Sequence, residues 1–202
     1  MKVGKLEGIL CAPEGSSEAC VIFCHGLFGS MHSPKYVELA KELGRRGLSS
    51  LRFNHREEAQ TSLALRREDL EKMVEFVESQ GYRRVGLMGS SLGGYLVLLF
   101  SSLWGNPQAV TAWATPCRLK GLGLEEEGLL ESLERMRAPL LLVHGSEDEL
   151  VPPWHSLELL RRARSPKLLL LVEGADHRFS GEKGRRVAVE FTAEWLRKRL
   201  AP

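Results

Sequence analysis

Apolar and polar positions alternate in blocks along this chain. Short apolar runs recur between longer stretches in which apolar residues return about every three or four positions, the spacing of a helix with one buried face. Residues 2–11 read as one or two opening strands, 20–24 as a buried strand, 34–46 as a helix and 48–53 as a further strand. Residues 61–80 carry Leu70, Met73, Val74 and Val77 at helical spacing, after which 85–88 read as a strand and 93–103 as a helix. Strands are expected again at 109–114, 140–143 and 168–172, with helices at 153–163 and 187–200. Strand and helix in regular alternation are what βα units produce when they build a mostly parallel sheet with helices on both faces. The fold class expected is therefore α/β, in a single domain over residues 1–202.

One segment breaks the rhythm. Between residues 117 and 137 the chain carries Gly121, Gly123 and Gly128 around Glu125-Glu126-Glu127, followed by a short helical stretch at 129–136. It reads as a connector or a very small cap. Leu119, Leu122, Leu124, Leu129 and Leu130 are placed either along one wall of a pocket or against the sheet edge. No repeat, low-complexity tract or Pro/Gly/Ser-rich linker divides the chain.

Charge narrows the classes. Lys and Arg total 28 against 26 for Asp and Glu, a formal net charge of +2, and basic residues are interspersed with acidic ones, which argues against a nucleic-acid partner. No apolar run approaches the roughly 20 residues that span a bilayer, and Met1-Lys2-Val3-Gly4-Lys5 leads into a mixed strand-like stretch rather than a signal-peptide core, so a soluble, cytoplasmic protein without a membrane partner is expected. Of Cys11, Cys20, Cys24 and Cys117, three lie in or beside apolar runs, where a reduced thiol behaves as a small hydrophobe. Cys20 and Cys24 share a strand face, but a zinc site needs two further ligands and the sequence has no second Cys pair and no HExxH, so no metal is expected.

Candidate chemistry appears at four loops, each after a predicted strand. Gly89-Ser90-Ser91-Leu92-Gly93 fits G-x-S-x-G between a strand and a helix, the context in which a serine is turned sharply into solvent while glycines permit close backbone approach. Cys24-His25-Gly26-Leu27-Phe28-Gly29 supplies a loop able to fold over a developing oxyanion, with the Leu27 N–H expected to act beside that of Leu92. The His25 side chain is expected to hold this loop in shape. His144-Gly145-Ser146-Glu147-Asp148-Glu149-Leu150-Val151-Pro152 offers three acids, of which Asp148 is favoured to orient a histidine while Glu147 and Glu149 stay solvated. Finally, Glu173-Gly174-Ala175-Asp176-His177 places an imidazole, which titrates near neutrality, after the last strand. Asp176 adjoins His177 in sequence, yet neighbouring side chains point apart.

The order oxyanion loop, Ser91, Asp148, His177, with each element at the carboxyl end of its own strand, is where open α/β sheets bind ligands. These motifs resemble those of the α/β-hydrolase superfamily, in its compact esterase and dienelactone-hydrolase-like branch, and the resemblance runs over essentially the whole chain. It implies an α/β-hydrolase fold with a sheet of about eight strands and minimal or no cap. It also implies hydrolysis of small carboxylic esters through an acyl-enzyme, with Ser91 as nucleophile, His177 as base then acid, Asp148 as orienting acid, and no cofactor. Dienelactone hydrolases often place cysteine at the elbow, so Ser91 favours the esterase-like reading. Where many relatives carry an acidic residue and a glycine-rich turn, this chain has Asn54-His55-Arg56-Glu57-Glu58, whose role stays open, with His55 read as surface. A thioesterase or short-peptide hydrolase with the same triad, or a binding protein on this scaffold without chemistry, are the alternatives. With little chain to spare for a cap, the site is expected to be shallow and partly open.

Overall fold

The computed structural model describes residues 1–15, 17–119 and 128–200. Eight strands form one sheet: β1 (Lys2–Val3), β2 (Leu6–Cys11), β3 (Ala19–Cys24), β4 (Ser49–Asn54), β5 (Arg84–Ser90), β6 (Ala109–Trp113), β7 (Leu140–Gly145) and β8 (Lys167–Val172). The helices are α1 (Pro34–Arg45), α2 (Leu63–Ser79), α3 (Leu92–Leu103), the one-turn α4 (Leu129–Ser132), α5 (Trp154–Arg162) and α6 (Glu182–Leu200). This is the expected α/β architecture, with boundaries shifted by a few residues at most elements.

Across the sheet the strands run β1-β2-β4-β3-β5-β6-β7-β8. β2 pairs antiparallel with β1 and β4, and from β4 to β8 every pairing is parallel. The chain steps from β3 outward to β4 and then returns across β3 to β5, so the direction of winding reverses between β3 and β5. At such a switch point the following loops part and leave a crevice at the carboxyl ends of the strands.

Central strands are apolar on both faces because helices cover both. In β3, Cys20, Ile22 and Cys24 pack on one side with Leu70 and Met73 of α2 and with α3, while Val21 and Phe23 face Tyr36, Leu39 and Leu43 of α1 and Ala193 and Leu196 of α6. β7 divides likewise, Leu140 and Leu142 to one side and Leu141 and Val143 to the other. Among the described residues no helix is long and apolar enough to cross a membrane.

The connector resolves one open alternative. Leu119, Leu129 and Leu130 are buried in the core on the α3 side of the sheet and are not among the residues lining the cavity beside Ser91, so they pack against the sheet; Leu122 and Leu124 lie outside the described residues. His55, read as surface, is buried. The chain after β4 turns inward there because β4 ends beside the carboxyl end of β3, where His25 and Asp69 give its ring and backbone polar partners.

Candidate active site

Ser91 is the single residue between β5 and α3, with φ 55° and ψ −123°. A non-glycine residue with positive φ is strained by about 1–3 kcal/mol and persists only where its surroundings hold it. Here the Ser91 N–H donates to the Trp113 carbonyl at 2.8 Å. A Cβ at Gly89 would run into the Gly93 carbonyl, and one at Gly93 into the Cys24 carbonyl, so the two motif glycines are required by packing of β5, α3 and β3. Gly26 is less severely constrained, since a Cβ there would stand 3.0 Å from Ser91 Cβ, a tight contact rather than an overlap. Phe28, Ala114 and Phe179 also have positive φ, and with Ser91 all four strained residues follow β3, β5, β6 and β8 at the same edge of the sheet.

β7 and β8 deliver the acid and the imidazole. Asp148 is 3% exposed, and its Oδ1 accepts from the backbone N–H groups of Leu150 at 3.1 Å and Val151 at 2.8 Å. His177 Nδ1 lies 2.8 Å from Asp148 Oδ2. His144, which sequence reasoning passed over as part of the loop, points its Nε2 at two acceptors, the Val151 carbonyl at 2.7 Å and Asp148 Oδ2 at 3.2 Å. That nitrogen must carry the proton, so Nδ1 accepts from the Ser156 hydroxyl at 2.6 Å. Burial alone would raise the Asp148 pKa, but the donors from His144, His177 and Val151 outweigh it and hold the carboxyl well below the usual range. Asp176 does not compete, because its Oδ1 accepts from the Ser180 N–H at 2.8 Å within its own turn. Glu147 and Glu149 are exposed, as expected.

The loop after β3 is wired from beneath. His25 Nδ1 donates to the Gly26 carbonyl at 2.8 Å and its Nε2 accepts from the His55 N–H at 3.2 Å. Burial is the main cause that lowers its pKa to about 4, so the ring is a neutral brace at neutral pH. Arg66 of α2 is fully buried and donates to the His25 carbonyl at 2.9 Å, the Gly26 carbonyl at 3.4 Å and the Ala59 carbonyl at 3.1 Å. Asp69 accepts from the Arg56 N–H at 3.0 Å and pairs with His55 Nδ1 at 3.3 Å, which gives the segment from Asn54 to Glu58 a structural role. With carbonyls of the loop drawn toward Arg66, the next amide faces the other way. Neither the Leu27 nor the Leu92 N–H donates to an acceptor among the described residues, and both residues line the same cavity. Leu92 is also the first residue of α3, where amides lack an intrahelical acceptor and the helix dipole favours negative charge.

Arg66→Met is expected to lower kcat on an activated ester by about 10–100-fold and the Tm by roughly 5–10 °C, since it orphans several buried carbonyls. Arg66→Lys is expected to recover only part of either, because an ammonium cannot span both loop carbonyls in a fork. A wild-type kcat in the methionine variant would show that the loop keeps its shape without the guanidinium.

Ser91, His177, Leu27 and Leu92 share a cavity of about 870 Å³, whereas Asp148 stands behind His177. That volume sits in the upper part of the usual ligand-site range. Phe28, 79% exposed, and Leu150, 72% exposed, form part of its mouth. No group of three or more metal-ligating side chains occurs among the described residues.

Residues 17–194 match the family model described as an alpha/beta hydrolase domain. The chain belongs to the alpha/beta hydrolase family. This alpha/beta hydrolase is 23% identical over 232 residues to the uncharacterized protein YqkD of Bacillus subtilis, an alignment covering 95% of this chain and 75% of YqkD. Among solved structures it is similar to an esterase domain from Rhodothermus marinus, with a TM-score of 0.81 and 22% identity over 98% of this chain and 100% of the other. It is also similar to a dienelactone hydrolase from Anabaena variabilis, with a TM-score of 0.83 and 23% identity over 98% and 95% of the two chains. At these identities the two structures establish the fold of the alpha/beta hydrolase, and the chemistry is argued from its own side chains.

Proposed function

We propose that this protein is a serine hydrolase that cleaves small carboxylic esters through an acyl-enzyme. The observation that carries this reading is the 2.8 Å contact between His177 Nδ1 and the buried Asp148 Oδ2, behind a cavity that His177 lines together with the strained elbow serine. Because Nδ1 must donate to the carboxylate, His177 Nε2 keeps its lone pair and serves as base. Ser91 Oγ attacks the acyl carbon as His177 takes its proton, and the Leu27 and Leu92 amides stabilise the tetrahedral oxyanion. The imidazolium returns that proton to the departing alcohol. A water molecule, deprotonated by His177, then attacks the acyl-enzyme and releases the acid. Substrate, water and these side chains supply every atom, so the reading calls on no cofactor. It also takes a small-molecule ester as partner, with neither nucleic acid nor membrane, and places the protein in the cytoplasm, in keeping with its near-neutral charge and the absence of any disulfide among its four cysteines.

A fluorophosphonate probe tests the nucleophile. Mass spectrometry is expected to find one adduct per chain, on Ser91 and not on the adjoining Ser90. An unlabelled protein, or an adduct on Ser90, would overturn the assignment.

A further inference from the structure

Lys35 is the second residue of α1, yet it is only 8% exposed and lines the same cavity as Ser91 and His177. Its position is a poor one for helix stability, because a cation in the first turn opposes the helix dipole and no acidic side chain accompanies it there. The ammonium donates to Ser90 Oγ at 2.7 Å, one residue from the elbow serine, and sits between the Tyr36 and Phe179 rings at 5.8 and 5.9 Å from their centroids. No carboxylate lies within ion-pair distance among the described residues, so two of its three N–H donors are left without an acceptor. A buried cation without a counter-ion is costly, and proteins retain one where a ligand supplies the missing charge. The rest of the wall agrees: Arg118, Arg178 and Arg185 also line the cavity, and among the described residues no Asp or Glu does, although Arg185 is already paired with Glu38 at 2.8 Å.

We infer that Lys35 is the floor of an anion subsite, and that the ester this enzyme takes bears a carboxylate. One buried charge with two open donors matches a monoanion with two oxygens. A phosphate dianion would ask for a second buried cation, and the arginines of this cavity lie at the exposed rim or are paired. The assignment rests on the esterase reading above, and it adds to that reading the charge of the substrate.

Burial, the largest influence, lowers the Lys35 pKa to about 8; Asp148 and Asp176 favour its charged form and Arg178 opposes it. The neighbouring Tyr36 hydroxyl is buried with its pKa raised, so it stays neutral and adds no competing charge. The ammonium form, which binds an anion, is present below about pH 8 and is lost above it. Preference for a charged ester is therefore expected to fall as pH rises through that value.

Two measurements separate the subsite from the esterase reading. The first is kcat/KM at pH 7 for nitrophenyl hemiglutarate against nitrophenyl valerate, an anionic and a neutral acyl chain of similar length. The second is calorimetric binding of monomethyl glutarate and of dimethyl glutarate to the Ser91→Ala protein, which needs no turnover. The anionic member is expected to be favoured at least 10-fold in each, with the preference shrinking to about 3-fold or less in Lys35→Met and by pH 9.5. If Lys35→Met does not fold, the wild-type ratio and its pH dependence carry the test. Equal use and equal binding of the two members by wild type would overturn the subsite. Preferential binding without any turnover would leave the subsite standing and overturn the esterase reading.

Discussion

Ser91→Ala is expected to lower hydrolysis of an activated ester by at least about 10⁴-fold, because on the proposed mechanism no other group forms the covalent intermediate. The loss should leave folding nearly untouched. What holds the elbow is backbone and glycine packing: the Ser91 N–H to Trp113 O bond at 2.8 Å and the close approach of Gly89, Gly93 and Gly26 all survive the substitution. Alanine takes the same positive φ at a similar cost, since the strain comes from Cβ rather than from Oγ. Initial rates and a thermal melt on the same preparation check both halves. A variant retaining more than a few percent of wild-type activity would move the nucleophile elsewhere, with Ser90 the next candidate because its hydroxyl already contacts Lys35.

Asp148→Asn is expected to reduce kcat by about 10⁴-fold, the scale seen when a triad aspartate is amidated. The geometry gives the reason. Oδ1 is claimed by two backbone donors, Leu150 and Val151, so the asparagine oxygen takes that side and its NH₂ faces His177 and His144. His177 Nδ1 must then accept rather than donate, which moves its proton to Nε2 and abolishes the base. Asp176→Asn is expected to stay within about 3-fold of wild type, since its carboxylate serves its own turn through the Ser180 N–H. Steady-state kinetics with one activated ester decides between them. The reverse ranking would mean that the acid comes from the loop after β8.

His144 fits the same picture as a positioning residue. Its tautomer is fixed by two acceptors on one nitrogen and the Ser156 hydroxyl on the other, so it is a permanent donor to the carboxylate and lets Asp148 remain ionised although buried. In the sequence it is simply the last polar residue of an apolar run, and nothing local distinguishes it from His155 or His32. Lys35 and Arg66 were hidden for a similar reason. A lysine and an arginine on amphipathic helices read as solvated charges, and only the packing of α1 against β4 and α6 and of α2 beneath the loop after β3 turns them inward.

What the sequence determined by itself was the alternation of elements and the placing of chemistry at their ends. Strand and helix periodicities are local, set by which side chains meet a packed face every two or every three to four residues, and they survive without knowledge of the partner face. The same locality made the elbow legible, because Gly89, Ser91 and Gly93 act over a few bonds. The tertiary structure decided everything that depends on two distant segments meeting. It set Asp148, already favoured over Asp176 in the sequence, 2.8 Å from His177 across 29 residues of chain, because the β7 and β8 loops face each other. It made His55 an interior group through Asp69 and His25. It put Leu119, Leu129 and Leu130 into the core rather than along a pocket wall. Finally, it left a buried ammonium at Lys35 facing a cavity, since desolvation and the absence of a counter-ion are properties of a packed neighbourhood and have no signature in the order of residues.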